Sequence, residues 1–169
     1  MNIIDLITKK AEGHELSEKE IFYFVNEYTK TNPSITDYQA ASLLMAIKLK
    51  GMTTKETYFL TKAMIETGET FDLSSVKGIK IDKHSTGGVG DKVSLILAPI
   101  CVALGLKVAK LSSIGLGHTG GTIDKLASIG INTVMTNKQA LKNLKDVGMF
   151  IMAQTPEICP ADKVLCSIR

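Results

Sequence analysis

The 169-residue sequence is poor in aromatics, with no tryptophan, four tyrosines and five phenylalanines. It therefore offers few platforms on which bases could stack. A Lys/Arg block is also missing. Twenty basic and 17 acidic residues leave a formal charge of +3, a weak excess without an arm-like cluster, so no nucleic-acid partner is expected. No apolar run reaches the roughly 18 residues that a membrane span needs, so no membrane partner is expected. The N-terminal MNIIDLITKKAEG has its lysines after the apolar stretch and no small-residue cleavage site, and reads as a short amphipathic helix. Cysteine is scarce. Cys101, Cys159 and Cys166 are odd in number and none forms a CxxC pair, which argues against a zinc or redox motif and fits free thiols in a reducing, cytoplasmic setting. Repeats and low-complexity segments are absent.

What is present divides near residue 70. Before it the pattern is helical. Ser17-x-x-Glu20, Thr36-x-x-Gln39 and Thr53-x-x-Glu56 are capping-box signatures ahead of apolar runs, and with the N-terminal segment they predict four short helices packed as a bundle. After residue 75 short β-branched runs alternate with longer amphipathic ones. VKGIKID, LKVAKLSS, INTVMT and MFIMAQT read as strands. DKVSLILAPICVALG, with Pro99 as a kink point, TIDKLASIG and NKQALKNLKDVG read as helices. The alternation predicts a parallel sheet flanked by helices. The expected organisation is a helical lobe over 1–68, a linker over 69–78, an α/β lobe over 79–155, and a segment over 156–169 that returns to the helical lobe.

Two glycine-rich stretches, DKHSTGGVGDK and GLGHTGGT, each leave a strand and enter a helix. In a parallel sheet both loops emerge at the carboxyl ends of the strands, where open α/β sheets bind ligands. Glycine lets backbone N–H groups approach a ligand closely, and the following helix adds unpaired N–H groups and a partial positive charge, so an anion is favoured. Lys83 adds a full charge. Ser85, Thr86, Ser94, Ser112, Ser113, Thr119 and Thr122 add hydroxyls, and His84 is suited to donate a hydrogen bond or relay a proton. Known phosphate signatures fit poorly. The lysine precedes the glycines, unlike a Walker loop. Gly115–Gly120 matches G-x-G-x-x-G, but no acidic residue ends the next strand. Tight turns that merely pack are the competing reading, and His14 and His118 have bland readings as a surface residue and a loop hydrogen-bonder.

KHSTGGVGD followed by GLGHTGGTIDKL strongly resembles the thymidine and pyrimidine-nucleoside phosphorylases, and MNIIDLITKKAEGHELSEKEI, DYQAASLLMAIKLKGMT and PADKVLCSIR sit in the expected order. The resemblance implies a homodimer, formed through the helical domain, that cleaves pyrimidine nucleosides with inorganic phosphate to free base and pentose 1-phosphate. It implies that Lys83, Ser85, Ser94, Ser112 and Thr122 hold phosphate with Lys110 nearby. His84 and Arg169 would act on the base, with Leu116 lining its pocket. No cofactor is required, phosphate being a substrate. Some relatives bind a monovalent cation such as K+ through backbone near Gly90 and Lys92.

The sequence departs from the family pattern in three ways. Ser112-Ser113-Ile114 replaces the usual Ser-Gly-Arg, removing a positive charge. Cys166 stands where a base-pocket tyrosine is expected. The family chain continues for more than as much again beyond Arg169, supplying a serine and a lysine for the base, so this chain by itself is expected to bind base poorly and to expose an apolar sheet edge and face. Two alternatives are a non-catalytic dimerisation or binding fragment and an enzyme like anthranilate phosphoribosyltransferase, whose phosphate loop normally reads GTGGD.

Overall fold

The computed structural model describes residues 1–85, 91–115 and 119–168. They divide into two compact units, Met1–Glu69 together with the chain from Pro156, and Thr70–Thr155.

The first unit is helical. It contains α1 (Ile3–Ala11), α2 (Glu18–Tyr28), α3 (Asp37–Lys50), α4 (Thr54–Glu66) and, after the chain returns, α8 (Pro160–Ser167). Local chemistry sets their starts. The Asn2 side chain accepts the Ile4 N–H at 3.1 Å. Ser17 and Glu20 form a reciprocal box, with Glu20 accepting the Ser17 N–H at 2.7 Å and Ser17 Oγ accepting the Glu20 N–H at 3.4 Å. Each satisfies donors that a helix start otherwise leaves unpaired. Helix α1 packs on α3 and α2 on α4, while α8 lies against α2 and α4. Leu6, Phe24, Val25, Ile35 and Leu43 are the large buried side chains at the centre of this core. Helix α3 is apolar on two faces. Ala40, Leu43 and Ala46 are buried, whereas Tyr38, Met45 and Leu49 are 71%, 57% and 74% exposed.

The second unit is a parallel sheet with helices. Strands β1 (Lys80–Ile81), β2 (Lys107–Ser112) and β3 (Met149–Ala153) lie in the order β1-β2-β3, and both pairings are parallel. Ile81 sits opposite Val108, and Val108 opposite Met149. The connections carry α5 (Val93–Ala103), α6 (Thr122–Ser128) and α7 (Asn137–Asp146). The helical bundle and the parallel α/β sheet expected from the sequence are both present. Pro99 is accommodated inside α5, whose Val93, Ile96 and Ile100 remain exposed, as does Leu104 just past its end. Phe71, Leu73 and Val76, within the stretch expected to be a linker, pack with Leu144, Phe150 and Met152 in this unit's core.

One expected strand does not form. INTVMT meets the sheet edge through the Ala153 N–H, which donates to the Thr133 carbonyl at 3.0 Å. Asn132 turns the backbone locally by accepting the Val134 N–H on its side chain at 2.9 Å, and such a side-chain-capped turn competes with the extended conformation a strand requires. Among the described residues no helix is long and apolar enough to cross a membrane.

Candidate functional site

Most of the residues expected to hold an anion lie at the carboxyl ends of β1 and β2 and at the starts of α5 and α6. Lys83 follows β1. Lys110 and Ser112 are two apart on β2 and so share one face of it. Ser94 is in the first turn of α5, and Thr122 opens α6.

Asp91 draws these elements together. Lys83 Nζ donates to Asp91 Oδ1 at 2.8 Å and to Ser94 Oγ at 3.3 Å. The Ser94 N–H donates to Asp91 Oδ1 at 3.2 Å, so the carboxylate caps α5. Thr122 Oγ donates to Asp91 Oδ2 at 2.7 Å. Asp91, Ser94 and Thr122 are 6%, 2% and 2% exposed. Burial pushes the Asp91 carboxyl up, but the bonds from Lys83, Ser94 and Thr122 outweigh it and hold the group well below the usual carboxylate range. Lys110, also buried, donates to the Lys83 carbonyl and lies 3.6 Å from Asp82. Burying a lysine ammonium is costly unless it is paired, and here a carbonyl and a carboxylate hold it at the strand end.

The second glycine-rich loop is closed by Asp124 at the third position of α6, whose Oδ2 accepts the N–H groups of Gly115 and Gly121. The chain crosses itself so closely there that a Cβ on Gly115 would lie 1.9 Å from the Thr119 carbonyl oxygen. One on Gly121 would lie 2.6 Å from the Gly115 nitrogen. Neither position has room for a side chain.

The other expected residues are less gathered. His84 is exposed, with its Nδ1 against the Ser85 carbonyl oxygen, and Ser85 is half-buried. Ser112 is half-buried at the end of β2. Ile114, where the resemblance leads to an expected arginine, is 52% exposed. Lys92 is exposed at the start of α5, whereas Gly90, the other position expected to hold a monovalent cation, lies outside the described residues. Leu116 and Arg169 also lie outside them. No group of three or more His, Cys, Asp or Glu residues converges as a metal site among the described residues. Asp91 was not among the residues expected at the site, although a short acid just before a helix is a recognisable cap signal.

Residues 77–169 match the α/β domain model of the glycosyl transferase family, and residues 4–68 match the family's helical bundle domain model. The chain belongs to this family. All of it aligns with the thymidine phosphorylase of Mycoplasma genitalium at 52% identity, covering 40% of that protein. It aligns likewise with the pyrimidine-nucleoside phosphorylase of Bacillus subtilis at 49% identity, covering 39%. The chain thus spans about two fifths of the length of the curated relatives it matches. The solved structure of anthranilate phosphoribosyltransferase from Thermus thermophilus superposes with a TM-score of 0.65 over 98% of this chain and 50% of that one. At 18% identity that likeness speaks to the glycosyl transferase fold alone.

Proposed function

We propose that this glycosyl transferase family chain carries the phosphate-binding part of a pyrimidine-nucleoside phosphorylase. The observation that carries the reading is the convergence of Lys83, Ser94 and Thr122 on one buried carboxylate, with Lys110 beside them. These cation and hydroxyl groups stand at the sheet edge where an oxyanion is bound in α/β folds. The names of the relatives supply the substrate class. Phosphate held by Lys83, Ser85, Ser94, Ser112 and Thr122 attacks the anomeric carbon of the nucleoside, and the bond to the pyrimidine breaks. Negative charge develops on the leaving base, where His84 and Arg169 stabilise it, next to Leu116. Holding the nucleophile in place removes an entropic cost, and because phosphate itself attacks, no cofactor is used.

The reading includes a homodimer formed through the helical unit. Tyr38, Met45 and Leu49, spaced seven and four apart on α3, form an exposed apolar stripe that a second copy would cover. It also places the protein in the cytoplasm, in keeping with the free thiols of Cys101, Cys159 and Cys166.

The test is titration of inorganic phosphate into the purified chain by calorimetry, with Lys83→Ala and Ser94→Ala as controls, followed by release of base from uridine and thymidine with and without phosphate. Saturable binding lost in both variants supports the reading, and its absence from a folded sample refutes it. Phosphate-dependent release abolished by His84→Ala extends the reading to turnover by this chain. Binding without release confines the chain to the phosphate-binding part.

A further inference from the structure

We propose that Asp91 fixes the hydrogen-bond polarity of the anion site, so that it selects a protonated oxyanion, hydrogenphosphate, over a fully ionised one such as sulfate. The inference rests on the phosphate reading above and adds a specificity-determining residue to it. A threonine hydroxyl has one proton to give. That of Thr122 points at Asp91 Oδ2 across 2.7 Å, with both residues buried. An ionised carboxylate accepts only, so the proton is committed to it. Towards an anion, Thr122 therefore presents oxygen lone pairs. The Ser94 N–H donates to the same carboxylate at 3.2 Å. Lys83 supplies the opposite polarity, donating to Asp91 at 2.8 Å and to Ser94 Oγ at 3.3 Å from the same ammonium group. The site is thus mixed, with a cationic donor from Lys83 and an acceptor from the Thr122 hydroxyl, which has already donated to Asp91.

At neutral pH every phosphate ion still carries at least one P–OH, and sulfate carries none. A P–OH facing Thr122 makes a hydrogen bond. A sulfate oxygen in the same place meets lone pairs and is repelled, which is discrimination by an unfavourable contact as well as a favourable one. One buried hydrogen bond made against one refused corresponds to about tenfold or more in affinity. Asp91 acts through Thr122 and Lys83, so it is a positioning residue. A purely structural role would weaken both anions alike and leave their ratio unchanged.

The experiment compares calorimetric titrations of the full chain with sodium phosphate and sodium sulfate at neutral pH and matched ionic strength. Wild type is expected to bind phosphate at least about tenfold tighter than sulfate. Asp91→Asn keeps the shape but offers an amide that can donate to Thr122, so sulfate binding rises and the ratio falls towards one. Thr122→Val, which removes the acceptor without touching Asp91, also lowers the ratio, by weakening phosphate; it decides the matter should Asp91→Asn not fold. Equal binding of the two anions by wild type, or an unchanged ratio in a folded variant, overturns this inference and leaves the phosphate site standing. Binding of neither anion by wild type overturns both.

Discussion

The helical unit hangs on one buried ion pair, and breaking it should be costly. Glu56 is fully buried and Lys10 is 3% exposed. The Glu56 carboxylate accepts Lys10 Nζ at 2.7 and 2.9 Å, the Leu16 N–H at 2.8 Å and the Thr53 N–H at 2.8 Å. It therefore joins the end of α1, the α1–α2 connection and the cap of α4. Glu56→Ala leaves a buried ammonium unpaired, at about 3–5 kcal/mol. It also orphans the Leu16 N–H, at about 1–3 kcal/mol, whereas water can replace the bond to Thr53 at the exposed helix start. Allowing for overlap, the expected loss is about 4–6 kcal/mol, comparable to the whole stability of many domains. Glu56→Gln keeps an acceptor for Leu16 and should lose less. Adding Lys10→Met to Glu56→Gln removes the stranded charge and should recover about 1–2 kcal/mol. All four tyrosines, Tyr23, Tyr28, Tyr38 and Tyr58, lie in this unit and tryptophan is absent, so urea unfolding followed by tyrosine fluorescence reads the helical unit alone. A Glu56→Ala chain within about 1 kcal/mol of wild type would refute the reasoning.

Two further outcomes are expected. Gly121→Ala sets a methyl 2.6 Å from the Gly115 nitrogen and 2.8 Å from the Ser113 oxygen, so the second unit should lose about 1–3 kcal/mol in far-UV circular dichroism melts while the tyrosine signal is unchanged. Met45→Glu with Leu49→Glu puts charge on the exposed α3 stripe; the proposed homodimer predicts that light scattering reports a dimer for the wild type and a monomer for this variant, with the helical fold retained.

The features legible in the sequence are those with short-range causes. The boxes at Ser17/Glu20 and Thr53/Glu56 close over three residues, and the helices begin where those residues stand. Alternation marked β2 and β3 correctly because each is buried against helices, with Val108 and Lys110 inward on one and Phe150 and Met152 on the other. The same alternation misled at INTVMT, where the Asn132 side chain accepts the Val134 N–H and bends the backbone into a local turn. Longer-range features were not legible. Glu56 reads as a capping residue, and nothing local reveals that Lys10, 46 positions away, shares its carboxylate. Asp91 sits inside the KHSTGGVGD motif, yet Thr122, the partner that shows what it does, lies 31 positions along the chain. The glycines of the second loop read as anion-binding freedom. At Gly115 and Gly121 the structure gives a steric reason instead, a chain crossing too close for a side chain.

The same carboxylate makes the second unit sensitive to acid. Asp91 is held below its ordinary value of 3.8 in the folded chain, because Lys83, Ser94 and Thr122 favour its charged form more than burial disfavours it. A carboxyl depressed in this way binds fewer protons folded than unfolded. Its contribution is complete above about pH 4–5, where the unfolded group is also ionised. It is lost as pH falls below that range towards the folded value. Asp91→Asn has no such group and should lose less on acidification, although it starts less stable. Urea midpoints from far-UV circular dichroism between pH 6 and about pH 3, with tyrosine fluorescence subtracting the helical unit and its own depressed Glu56, would show the wild-type and Asp91→Asn curves converging in acid. Parallel curves would mean that the Asp91 carboxylate gains nothing from the cluster on folding, and the hub assigned to it would be wrong.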